Sequence, residues 1–171
     1  MLEIEPPKYK FCPFCGERLQ VRIEEEKERK FCPPCEWTYY PHVGSAAGAV
    51  IIKEGKVLMV KRRREPHKDT WMFPAGFADF GEHPLETVAR EVQEETGLSV
   101  EKANFLEVVQ SKSDPREPGH FVFFYEVVAS EGKLKTDEEE TQDIAWVDIK
   151  NPPEIGFESH KQIMKTLQER Y

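Results

Sequence analysis

Glu91, Glu94 and Glu95 stand at i, i+3 and i+4 of a stretch that reads as helix, so at 100° per residue their carboxylates share an arc of about 100°. On an open helix such neighbours repel, by about a few tenths of a kcal/mol per i,i+4 pair. A hard divalent cation reverses the sign, because Mg2+ takes oxygen ligands and couples carboxylates to substrate phosphates. The bland alternative is a solvated acidic face in a Glu-rich chain. Arg90 weighs against it, since Glu86 and Glu94 each lie four residues away and one guanidinium can pin the array. A second constellation is Cys12-x2-Cys15, sixteen residues, then Cys32-x2-Cys35. Two pairs at this separation fit four thiolates around one tetrahedral zinc. Two disulfides or four unrelated thiols are the alternative. Residues 1–8 show no basic-then-apolar leader, so the chain is expected in the cytoplasm, where disulfides are rare. A redox pair would need a single CxxC beside a β-α-β unit, and that context is missing.

The elements that must position these groups follow from periodicity and turn residues. Residues 1–42 are expected to hold the metal ribbon, with Glu24–Glu26 and Lys27, Arg29 and Lys30 at a solvated hairpin tip. Pro41-His42 reads as a joint, and 43–171 as the second domain. Residues 44–52 and 56–61 read as two strands joined at Glu54-Gly55, a hairpin signal. A polar loop then leads into Trp71-Met-Phe-Pro-Ala-Gly-Phe77. A helix is predicted from Pro84, suited to the first helical position, to Thr96, with Gly97 just past its end. Leu85, Val88, Ala89 and Val92 define its apolar face, opposite the carboxylates. Strands are predicted at 105–110, 121–128 and 144–147. After Pro152-Pro153 comes a helix with Phe157, Ile163, Met164 and Leu167 on one side.

Composition narrows the function classes. Eleven Phe, five Tyr and three Trp supply a core, which excludes wholesale disorder. The longest uncharged run, 37–52, contains Tyr39-Tyr40-Pro41-His42 and falls short of the ~20 apolar residues of a membrane-crossing helix. A net charge of −8 argues against a large non-specific nucleic-acid footprint and leaves room for a local basic patch. Phosphate brought to the metal would need positive charge as well, and in the run Lys61-Arg62-Arg63-Arg64 the best candidate is Arg62. Phe123, Tyr125 and Trp71 are candidates for an aromatic platform under a ligand's ring.

From Gly76 the chain reads Gly76-x5-Glu82-x7-Arg90-Glu91-Val92-x-Glu94-Glu95-x-Gly97-Leu98. This resembles the signature of the Nudix hydrolases, G-x5-E-x7-R-E-U-x-E-E-x-G-U with U apolar, at every fixed position. With the ribbon in front, nearly the whole chain is similar to the zinc-ribbon-bearing branch of that superfamily. The resemblance implies an α/β fold, an α/β/α sandwich around a mixed sheet preceded by a small zinc ribbon. It implies Mg2+- or Mn2+-dependent cleavage of nucleoside diphosphates linked to another moiety, and a homodimer. Metal would be held by Glu91, Glu94, Glu95 and the carbonyl of Ala75. Gly76 and Gly81 would shape the loop, Glu82 brace it and Arg90 orient the glutamates. A glutamate in the loop before Trp146 would close the site as metal ligand or general base, and the expected base is Glu140, with Glu139 second and Glu138 silent. NADH pyrophosphatases carry S-Q-P-W-P-F-P-x-S after the box. Residues 107–120 lack it, while Pro115 lies near the proline of ADP-ribose-cleaving relatives. ADP-ribose or FAD is therefore the expected substrate. An NADH pyrophosphatase and a non-catalytic nucleotide- or RNA-binding ribbon protein are the alternatives.

Overall fold

The computed structural model describes residues 9–112, 114–136 and 139–171. The chain divides into two compact units between His42 and Val43. In the first unit, β1 (Gln20–Glu24), β2 (Lys27–Cys32) and β3 (Trp37–Tyr39) form an antiparallel sheet in that order. Glu25 and Glu26, both at positive φ, make the tight turn between β1 and β2, as a two-residue hairpin loop requires. The apolar residues this unit buries are Cys12, Cys32 and Tyr39 among those described. Its core is little more than the sulfur cluster.

The second unit holds β4 (Ser45–Lys53), β5 (Lys56–Arg62), β6 (Trp71–Met72), β7 (Ala75–Phe77), α1 (Pro84–Thr96), β8 (Val100–Gln110), β9 (Phe121–Ala129), β10 (Thr141–Asp148) and α2 (Glu158–Arg170). The strand order is β10-β5-β4-β9-β8, with β6 on β5 and β7 on β4. β4 and β9 run parallel and the other pairs antiparallel, so the sheet is mixed. Period-2 alternation sends Val50, Val57, Val122 and Phe124 into one core with Ile163, Met164 and Leu167 of α2. The alternate residues Ala49, Ile51, Leu58 and Val127 meet Val88 and Val92 of α1. One helix thus covers each face, giving the α/β/α sandwich.

The hairpin expected from Glu54-Gly55 is real but short. β4 and β5 pair only at Ile52↔Val57 and Lys53↔Lys56. Beyond these they take different partners, and the segment 71–77 enters the split by adding β6 to β5 and β7 to β4. Between β6 and β7, Phe73 is fully buried against Phe124 and His160. No helix among the described residues is long and apolar enough to cross a membrane.

Candidate active site

α1 starts and stops on local rules. His83 is the N-cap, its Nδ1 accepting from Leu85 N–H at 3.2 Å, while Glu86 reaches back to His83 N–H at 2.8 Å to complete a capping box. Gly97 closes the helix at φ 75°, a left-handed conformation that suits glycine. The inward face, however, differs from the one expected. Leu85 is 42% exposed and Ala89 is exposed, whereas Thr87, Val88, Glu91, Val92, Glu95 and Thr96 are buried. Two of the three carboxylates therefore point inward, and only Glu94 stands on the outer face. The cause is the split between β4 and β5: α1 packs partly over a cavity instead of a closed sheet, so polar side chains can occupy its inner stripe.

Each inward carboxylate is seated by β7. Glu95 Oε2 accepts the Ala75 N–H at 2.9 Å. Gly76 lies so close to Glu91 that a Cβ there would fall 1.9 Å from Glu91 Oε1. Arg90 ties the assembly together beneath. Its Nε and Nη2 make a two-pronged pair with Glu82 at 3.0 Å each, Nη2 also donates to the Phe77 carbonyl at 2.9 Å, and Nη1 reaches Glu91 at 2.6 Å and Glu94 at 3.1 Å. Glu86, expected to share Arg90, is spent on the helix cap, and Glu82 takes its place. Arg90, the Asp79 N–H and Thr87 hold the Glu82 carboxyl down to about 2.

Above the carboxylates lies a cavity of about 330 Å³. Glu91, Glu95, Ala75 and Gly76 line one end, and Arg62, Arg116, His120, His160 and Phe157 line it elsewhere. Burial pushes the Glu91 carboxyl up against the pull of Arg90. Burial, and then the Glu91 charge, push Glu95 well above the usual carboxylate range. Burial, and then the field of Arg62, hold His160 down to about 3. His160 is thus neutral, with Nδ1 accepting the Phe73 N–H at 3.1 Å.

In the ribbon, none of the four cysteines is in a disulfide, and their sulfurs all lie within 4.8 Å of one another. Zn–S bonds of about 2.3 Å place tetrahedral sulfurs about 3.8 Å apart. Cys15 and Cys32 Sγ are 3.6 Å apart. Hydrogen bonding to Cys15, and then burial, push the Cys35 thiol up to about 12, whereas against burial the Phe14 and Cys15 backbone N–H groups hold Cys12 down to about 7. Four thiolates this close repel unless a cation lies between them. The cluster fits zinc.

The NUDIX domain family model matches residues 42–167. The chain belongs to the Nudix hydrolase family. A second model, described as Nudix N-terminal and of zinc-ribbon type, matches residues 10–41 of this Nudix chain. An ADP-ribose pyrophosphatase of Methanocaldococcus jannaschii is 33% identical over 154 residues, spanning 88% of this chain and 85% of that protein. The NAD-capped RNA hydrolase NudC of Vibrio atlanticus is 30% identical over 150 residues, spanning 86% of this chain but 52% of that protein. The chain thus spans about half the length of such NudC relatives. The crystal structure of a NUDIX hydrolase from Nitrosomonas europaea superimposes with a TM-score of 0.76 at 25% identity, over 95% of this chain and 92% of that one.

Of the residues singled out from the Nudix box and its flanks, Glu91, Glu95, Ala75, Gly76, Arg62 and Glu140 line the cavity. Arg90 lies outside the lining and acts on Glu91. Glu94 is not in the lining either: its side chain is 53% exposed, on Arg90. Trp71 does not line the cavity. Its N–H and carbonyl pair with Glu154 and Gly156, and its ring packs on the core under α2, because β6 must be stitched to the segment before that helix. Phe123 and Tyr125 pack in the core on the α1 face, so strand alternation turns the expected platform away from the cavity. Phe157, expected on the apolar side of the last helix, is instead its N-cap residue and lines the cavity. Glu139 pairs with Arg64 at 3.2 Å, and Glu138 lies outside the described residues. Sequence reasoning missed Asp114, Arg116, His120 and His160. No local spacing marks them, since a loop and a distant helix bring them together.

Proposed function

We propose that this Nudix protein is a pyrophosphohydrolase using Mg2+ or Mn2+ and acting on a nucleoside diphosphate linked to another moiety: ADP-ribose, cleaved to AMP and ribose 5-phosphate, or FAD. The observation that carries the reading is the pair of buried like charges, Glu91 and Glu95, facing a cavity that also holds arginines. Two desolvated carboxylates side by side are costly alone and are the donors a hard divalent cation takes. Glu91, Glu95 and the Ala75 carbonyl would hold the ion, with Glu94 completing the set from the rim. Once bound, it neutralises charge on the attacked phosphoryl group and acidifies water.

The chain supplies the rest. Arg90, locked by Glu82, fixes the rotamer of Glu91. Arg62 offers charge to phosphate. Glu140, 60% exposed and 3.5 Å from Arg64, lies in the loop before β10 and takes the proton from the attacking water. An exposed carboxylate at the edge of the cavity suits that role, because water and substrate can both reach it. The likeness to the Methanocaldococcus jannaschii protein and the missing post-box stretch support ADP-ribose over NADH, whereas the likeness to NAD-capped RNA hydrolases supports a substrate that contains NAD. The reading includes a cytoplasmic location, consistent with unpaired cysteines, and a homodimer, which light scattering tests.

Steady-state rates on ADP-ribose, FAD and NADH with Mg2+ decide the substrate. A clear preference for NADH replaces the reading by NADH pyrophosphatase, and binding without turnover makes the chain a non-catalytic binder. Glu95→Gln is expected to lower kcat by about 10²–10³ and Glu94→Gln by about 10–100-fold. Glu140→Gln should cost about 10²–10⁴ in kcat with little change in KM.

A further inference from the structure

Away from the carboxylates, the cavity carries two guanidiniums whose surroundings call for an anion. Arg62 donates to the carbonyls of Pro66 and Arg64 and to Met72 Sδ, and has no carboxylate partner among the described residues. Arg116 is held by Asp114, which is only 1% exposed: Nε meets Oδ1 at 3.1 Å, Nη2 meets Oδ2 at 2.7 Å, and the Arg116 N–H also reaches Oδ1 at 3.0 Å. This grip leaves Arg116 Nη1 without a partner among the described residues. Both guanidiniums lie over Phe157, Arg62 at 5.1 Å and Arg116 at 5.4 Å from the ring centre, and Arg116 also lies 5.1 Å from that of Phe77. Two like charges converging on one ring repel each other in a half-buried place. The buried Asp114 offsets one of these charges and fixes its plane, while Arg62 keeps no carboxylate partner among the described residues.

We infer that Arg116, positioned by Asp114, and Arg62 form a two-armed clamp for the second phosphate of a diphosphate, so that Arg116 makes the cavity prefer diphosphates to monophosphates. The inference rests on the pyrophosphohydrolase reading for its place in the reaction, with one phosphate at the carboxylate end and the other on the clamp. Guanidinium suits this role because its planar fork meets phosphate oxygens in pairs, and aromatic faces beneath fix its plane.

The test is calorimetric titration of inorganic pyrophosphate, and of inorganic phosphate, into the full chain without divalent metal. Wild type should bind pyrophosphate at least about tenfold more tightly than phosphate, and Arg116→Ala should erase that preference by weakening pyrophosphate about tenfold or more. Arg116→Lys, which keeps the charge but not the fork, should recover part of the loss. Asp114→Asn should weaken pyrophosphate in the same direction. With whichever nucleoside diphosphate derivative is turned over, Arg116→Ala and Asp114→Asn should raise KM while kcat stays within about twofold, a split that a merely structural role would not give. If Arg116→Ala loses its cooperative melt, Arg116→Lys carries the test and must bind pyrophosphate at least about threefold more weakly than wild type. Wild-type affinity in the measured Arg116 variant, or an unchanged preference over phosphate, overturns the clamp. Wild-type behaviour of Asp114→Asn overturns the positioning role. Because the titration needs no turnover, its failure is separate from failure of the proposed reaction.

Discussion

Gly76 shows how a single missing side chain sets the chemistry of the pocket. Its φ is unremarkable; what it supplies is space, because a methyl group there would overlap the Glu91 carboxylate. Gly76→Ala must therefore swing Glu91 out of place or shift β7 and with it the Ala75 N–H that holds Glu95. Misplacement of about 1 Å at a reacting centre costs on the order of 100-fold in rate. Steady-state kinetics should show such a loss in kcat for Gly76→Ala. Melting temperature without metal should fall little, since displacing Glu91 relieves a buried charge. Full activity would mean that Glu91 is not placed by this contact. Arg90 acts on the same scale, since one guanidinium satisfies Glu82, Glu91 and Glu94 together. Its conservative replacement by Lys would lose the two-pronged hold on Glu82.

At the scale of elements, α2 is docked by more than its apolar stripe. Ile163, Met164 and Leu167 fill the core, but His160 sits among Phe73, Phe124 and Phe157 and takes the Phe73 N–H on Nδ1. Protonation would abolish that acceptor. The folded state holds His160 at about 3 against an ordinary 6.5, so the unfolded chain takes up the proton first as pH falls. Stability from this group is full above pH 6.5 and is lost progressively between there and pH 3. The slope is about 1.4 kcal/mol per pH unit where the unfolded chain holds one proton more. Denaturant unfolding of wild type and His160→Gln should show it as a slope present in wild type and absent from the variant. Equal slopes would remove His160 from the acid sensitivity.

On the scale of the whole molecule, the two units are stabilised by different means. The second has a sheet with a helix on each face and buries long runs of Val, Ile, Leu, Met and Phe. The first buries two cysteines and one tyrosine among its described apolar residues. A unit of about 40 residues without a real core needs a metal or cross-links to stay folded. Protein purified without added zinc should contain one zinc per chain, bound by Cys12, Cys15, Cys32 and Cys35. Chelation under reducing conditions should unfold residues 10–40 by hydrogen exchange while leaving protection in β4, β5 and β9 unchanged. Less than half an equivalent of zinc, or a disulfide-linked product, would defeat this expectation.

The bounds of α1 and the pairing of the cysteines on two turns are legible from the chain alone, because both depend on neighbours in sequence. Pro84 and Gly97 act through their own backbones, and each CxxC brings two sulfurs onto one turn. The hairpin at Glu54-Gly55 is legible for the same reason. Tertiary structure alone decided which way the box glutamates face. Helical spacing puts Glu91, Glu94 and Glu95 in one arc, and only the split between β4 and β5 lets two of them turn inward while Glu94 stays out on Arg90. The parallel pairing of β4 with β9, and the meeting of Arg62, Arg116 and His160 over Phe157, join residues far apart in the chain. No periodicity records such contacts, because the free energy that selects them arises from packing the sheet and both helices at once.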